Sequence, residues 1–179
     1  MTLSKAILEN GGTVLDGAVF DPTGAYRYSL TRSWPDGRGR VAFVLLNPST
    51  ADSERDDPTI RRCIGFARHW GFGALEVVNL FAYRTPHPAA LRMAPDPVGP
   101  DNDRHLLAAF GRAELLVTAW GVHGAWRSRG REVARLLLAR GKSLGKSLHC
   151  LGLTKGGFPR HVLYLERSRR PRPYRPDIA

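Results

Sequence analysis

Acidic residues are scarce in this chain: 16 Asp and Glu stand against 27 Lys and Arg in 179 residues, a formal charge of +11. Such a surface attracts polyanions through counterion release and long-range steering, so nucleic acid is the first partner to consider. Cysteine is scarcer still. Cys63 and Cys150 are the two present, far apart and forming no CxxC pair, which argues for a reducing compartment and against a disulfide framework or zinc site. No apolar run approaches the 18 or so residues of a membrane helix. Met1–Glu9 lacks the charged, apolar and small-residue regions of a signal peptide. The expectation is therefore a cytoplasmic protein without a membrane span. Chemical motifs are missing too. No GxSxG elbow marks a serine nucleophile, and Thr154-Lys155-Gly156-Gly157 lacks the full P-loop pattern. Asp52, Glu54, Asp56 and Asp57 lack the spacing, glycine and terminal glutamate of a calcium loop, so caps and solvated charges are the better reading. No metal and no cofactor is expected.

A length of 179 residues with 42% hydrophobic content fits one domain with one core. We assign residues 1–166 to it and residues 167–179 to a basic tail. Thr13–Leu15 and Tyr26–Trp34 read as antiparallel edge strands or a hairpin, with turn residues at Asp21–Gly24 and Pro35–Gly37. Val41–Leu46, Leu75–Leu80 and Leu115–Trp120 are continuous apolar runs, as expected of strands covered on both faces. Ser147–Leu153 is a fourth strand. Helices are expected from Pro58, capped by Asp56 or Asp57, to Gly71, from Asp101 to Phe110, and near Trp126–Arg140. Residues 82–100 read as a long proline-rich loop. The resulting fold class is α/β: a three-layer α/β/α sandwich around a central, mostly parallel four-stranded sheet, with N-terminal edge strands.

In such sheets ligands bind beyond the carboxyl ends of the strands. Here those ends carry Asn47, Asn79, Gly121 and Thr154, so segments distant in sequence are expected to meet at one crevice. Asparagine offers an acceptor and a paired donor, which suits the edge of a nucleobase. His161 can donate to a developing anion or move a proton. Backbone amides after Pro48 can hold an oxyanion or a water. The set favours recognition of a base and cleavage beside it, without a strong nucleophile. Ser49 and Thr50 read as caps or backbone partners. Trp120 or Trp126 is available to stack on a base, with a core role the better reading for Trp120. The tail, with five arginines and three prolines between Arg167 and Pro176, reads as an extended arm able to follow phosphates, or as a solvated tail.

The stretches LLNPSTADSERDDPTIRRC (Leu45–Cys63), VVNLFAYR, DPVGPDND, AWGVHG and TKGGFPRHVLYL resemble a bacterial family of unassigned activity, domain of unknown function 1643, over roughly residues 26–165. The order of motifs is also similar, more distantly, to the uracil-DNA glycosylase superfamily. Phe43–Pro48 resembles the Asn-Pro step of its mismatch-specific branch. Val77–Leu80 resembles the strand whose asparagine reads uracil, and His161-Val162-Leu163 the loop with a base-binding histidine. That resemblance implies catalytic roles for Asn47, on the attacking water, and His161, on the departing base. It implies a base pocket from Pro48, Ser49, Thr50, Asn79 and Gly121, with Phe81 or Phe72 stacking. Nucleic acid would be gripped by Arg61, Arg62, Arg84, Lys155, Arg160, Arg169, Arg170 and Arg172. The family's proline after the histidine is Val162 here, and its iron–sulfur cysteines are absent. The implied function is hydrolysis of the N-glycosidic bond of a damaged or deaminated base in DNA, by a monomer. The alternatives are a non-catalytic DNA- or RNA-binding protein of the same fold and an enzyme acting on free nucleotides.

Overall fold

A computed structural model describes residues 6–7, 13–15 and 17–177. The strands are β1 (Ala6–Ile7), β2 (Thr13–Leu15), β3 (Ala18–Phe20), β4 (Arg27–Ser33), β5 (Arg38–Leu45), β6 (Phe72–Asn79), β7 (Leu115–Thr118), β8 (Leu148–Cys150) and β9 (Arg172–Pro173). The α-helices are α1 (Pro58–His69), α2 (Pro88–Met93), α3 (Asn102–Arg112) and α4 (Arg129–Leu144). A 3-10 segment, Val122–Ser128, leads into α4.

The apolar run of β5 alternates between two cores, because successive side chains in a strand point to opposite faces. Ala42 and Val44 join Val78, Leu106, Phe110, Val133 and Leu137 on the α3/α4 face. Val41, Phe43 and Leu45 join Leu75, Val77, Ile60, Cys63 and Phe66 on the α1 face. From Val41 to Leu45 both faces are dry, which is why no polar residue interrupts the run, whereas Arg38 and Arg40 at the start of the strand reach water.

The architecture is mixed α/β, and the expected sheet needs correction. Among the described residues it has nine strands in the order β1-β2-β3-β4-β6-β5-β7-β8-β9, seven of them (β3–β9) from the continuously described stretch. It is not mostly parallel. The run β6-β5-β7-β8 is parallel, whereas β4 on β6, β9 on β8 and the N-terminal strands pair antiparallel. Of the strands beyond the parallel run, β2 and β4 lie where edge strands are expected, while β1, β3 and β9 are two or three residues long, too short to show a period. The loop at 82–100 also differs: α2 starts in it, with Pro88 in the first turn where its missing N–H costs nothing.

Helix α1 follows its signals. The Asp57 side chain accepts from Ile60 N at 2.9 Å, Pro58 opens the helix, and Gly71 at φ +85° follows its end. The tail does not stand away from the body. Strand β9 pairs with β8, Tyr174 is buried edge-on against Trp120, and Trp70 Nε1 donates to Arg169 O. Among the described residues, no helix is long and apolar enough to cross a membrane.

Candidate functional site

The carboxyl ends of β5, β6 and β7 open into one cleft of about 440 Å³. Asn47, Ser49, Asn79, Gly121 and His161 all line it, together with Arg27, Asp57, Thr85, Trp120 and His123. The strand-end convergence therefore brings both asparagines and the histidine to one place. A larger groove, about 870 Å³, lies between α4 and the tail. Its charged groups are mainly Lys and Arg stems, with His149 Nδ1 its one orphaned buried side-chain atom. The cleft holds orphaned atoms of Arg27, Asn79 and Trp120.

Asn79 is 1% exposed, and neither its Oδ1 nor its Nδ2 has a hydrogen-bond partner. Its backbone is fixed from behind, where Asn102 Nδ2 donates to Asn79 O and Leu80 O, both at 3.0 Å. A buried amide left unmatched at both ends costs on the order of 1–3 kcal/mol per group. That cost is recovered when a ligand presents the complementary donor and acceptor.

Asn47 is spent differently. Its Nδ2 donates to Pro48 O at 3.0 Å and to Thr85 O at 2.9 Å, while Thr85 N donates to Pro48 O. Both amide hydrogens lock the loop, which leaves the side-chain oxygen as the acceptor it can offer. Pro48 itself is buried, Ser49 lines the cleft, and Thr50 lies in an adjoining surface recess with Arg84.

His161 accepts Leu163 N–H at its Nδ1, so the neutral ring carries its proton on Nε2. Burial pushes its pKa below the ordinary 6.5, against a smaller opposing pull from Asp57. The ring is therefore a neutral donor near pH 7. Gly121, at φ +72°, donates its N–H to Pro159 O at 2.9 Å and so holds the His161 loop against the end of β7. Gly124 serves Trp120: a Cβ there would run into the indole ring. The GVHG stretch is thus shaped by close packing as well as by the cleft.

Phe81 does not face the cleft. It is fully buried and packs on Trp126 at 4.8 Å, on the α3/α4 side of the sheet. Phe72 stands at the opposite end of β6. The expectation that either stacks on a base is corrected, and Trp120 is the large aromatic residue lining the cleft. The acidic cluster is committed locally. Asp52 accepts from Glu54 N and Arg55 N, Asp56 pairs with Arg32, and Asp57 caps α1.

The predicted phosphate-contacting residues divide. Lys155, Arg160, Arg170 and Arg172 are exposed. Arg160, Arg169 and Arg172 converge on Gly152, with atoms 3.4–3.7 Å from where its Cβ would stand. Arg61 donates to Asp56 O, Arg62 stacks on Phe66 and Arg84 lies over Phe20. Sequence reasoning missed Arg27 and Asp57 as cleft residues. Asp57 had a signal as a cap, whereas Arg27 read as one position of an edge strand.

Residues 27–163 match the model of a family described as "Protein of unknown function (DUF1643)". Neither a curated protein nor a solved structure matches the chain. With the match spanning most of its length, the chain belongs to the DUF1643 family.

Proposed function

We propose that this DUF1643 member is a base glycosylase-like protein, hydrolysing the N-glycosidic bond of a damaged or deaminated base in DNA. The observation that carries the reading is Asn79: an almost wholly buried amide with both ends unmatched, in the same cleft as His161. One planar base edge would satisfy its donor and acceptor together. The parallel run β6-β5-β7-β8, with a core on each face, supports the comparison with the three-layer uracil-DNA glycosylase fold.

In the reaction the bond from the sugar carbon to the base nitrogen breaks, and its electron pair leaves with the base. The sugar becomes cation-like. His161 Nε2–H donates to the base carbonyl, where the negative charge collects, and its lowered pKa keeps it a neutral donor. The free oxygen of Asn47 orients the attacking water, whose oxygen bonds to the sugar carbon while its proton passes to the departed base anion, giving a free base and an abasic sugar. Asp57, the one carboxylate residue lining the cleft, opposes the positive charge on the sugar. The base must first leave the stack. Lys155 and Arg160, in the His161 loop, would hold the backbone of that duplex.

The test is a panel of oligonucleotides carrying uracil, hypoxanthine, xanthine or an alkylated base, each assayed for alkali-labile sites. At least one should be cleaved. Asn47→Ala should slow release by about 100-fold or more while DNA binding persists. A panel without any cleavage would overturn the reading.

A further inference from the structure

Arg27 is 2% exposed and lines the cleft. Nη1 donates to Ala51 O at 2.6 Å, and Nε is buried without a partner. Among the described residues no carboxylate pairs with it within 4.0 Å. Burial lowers its pKa to about 10, and Arg84 and Arg32 push the same way, yet the group stays charged at neutral pH. Asp57 supplies the largest opposing field, but one of its oxygens is committed to the α1 cap. Nε of Arg62, Arg84 and Arg169 is also without a partner, but those residues are only partly buried. Arg27 alone of these is a fixed cation sealed into the cleft.

A buried, uncompensated charge is strongly unfavourable, and arginine cannot escape by losing its proton. One neighbour shares the demand for an anion. The start of α1 also borders the cleft, at Asp57, Thr59 and Ile60, but its positive end is already capped by the Asp57 carboxylate. Ser49 lines both the cleft and the adjoining recess of about 350 Å³, where Arg84 lies with Thr50 and Gly24. Arg84 thus borders the recess next to the cleft that Arg27 lines.

We propose that Arg27 receives a phosphate, and hence that the substrate of the cleft is recognised as a nucleotide unit, the base by Asn79 and its phosphate by Arg27, with Arg84 on the approach. A planar guanidinium fork matches a phosphate's paired oxygens, which a lysine does not. This deepens the base-binding reading and rests on it.

The experiment compares, with the full chain, binding of pyrimidine and purine nucleosides, their 5′- and 3′-monophosphates, and inorganic phosphate. Calorimetry and the rise in Tm give the readouts, for wild type, Arg27→Lys and Arg84→Gln. At least one monophosphate should bind about tenfold or more tightly than its nucleoside. Arg27→Lys should remove that advantage while leaving nucleoside affinity unchanged, and Arg84→Gln should reduce it several-fold. Equal binding of nucleoside and monophosphate by wild type would overturn the phosphate role and leave the base pocket standing. Stabilisation by inorganic phosphate, lost in Arg27→Lys, without nucleoside binding would uphold the anion site and sink the base reading. Absence of binding by every monophosphate and by phosphate would overturn the proposal. If Arg27→Lys does not fold, the wild-type comparison with Arg84→Gln decides.

Discussion

Arg129 and Arg27 are equally buried, each 2% exposed, and live in opposite circumstances. Arg129, at the start of α4, donates from Nε to Leu80 O and pairs with both Asp103 and Glu132. Arg27, in the cleft, has one carbonyl and no carboxylate partner. The asparagines repeat the contrast. Asn102 directs its amide at two backbone carbonyls, although its own oxygen is unmatched, while Asn79 has no side-chain partner at all. One region is matched within the fold, whereas the other leaves buried polar groups unmatched, as a binding site would. Asn102 links the two, because it clamps the backbone of Asn79 itself.

The comparison breaks if the two regions respond alike to substitution. The largest loss of stability is expected for Arg129→Met, about 2–3 kcal/mol by denaturant unfolding, less than a fully buried pair because Asp103 and Glu132 reach water. Asn102→Leu should cost about 2 kcal/mol, from two buried carbonyls left unmatched, and should also slow base release by loosening Asn79. Asn79→Leu should change stability by less than about 1 kcal/mol, or raise it, since it removes a group the fold does not satisfy. Arg27→Met should stay within about 1 kcal/mol, because relief of a buried charge offsets the Ala51 carbonyl left unmatched. The smallest effect is titration of His161. Its folded pKa lies below the unfolded 6.5, so its contribution is complete above 6.5 and declines as pH falls toward the folded value. The Tm of wild type should drop across that acidic window, and the drop should be smaller in His161→Gln. An equal drop in both would exclude His161 as the buried neutral donor.

The elements that set the cleft were legible because their signals are local. Runs such as Val41–Leu46 announce strands covered on both sides, and Asp57-Pro58 announces a helix start. The meeting of Asn47, Asn79 and His161 follows from parallel strands sharing a carboxyl end. What was not legible depends on distant cover. Arg27 in Tyr26-Arg27-Tyr28 reads as one position of an edge strand, and its side-chain partner, Ala51 O, comes from a loop 24 residues on. The Arg- and Pro-rich tail reads as an arm because composition says nothing of Tyr174 docking against Trp120. Phe81 sits next to the end of β6 that lines the cleft but on the other side of the sheet, a question of register that one step along a strand reverses.

The most direct test measures unfolding free energy and base release together on Asn79→Leu, with the lesion panel as substrate. The account predicts a variant as stable as wild type that releases no base from the oligonucleotide wild type cleaves. A variant that still releases the base, or one that is destabilised as much as Asn102→Leu, would contradict it.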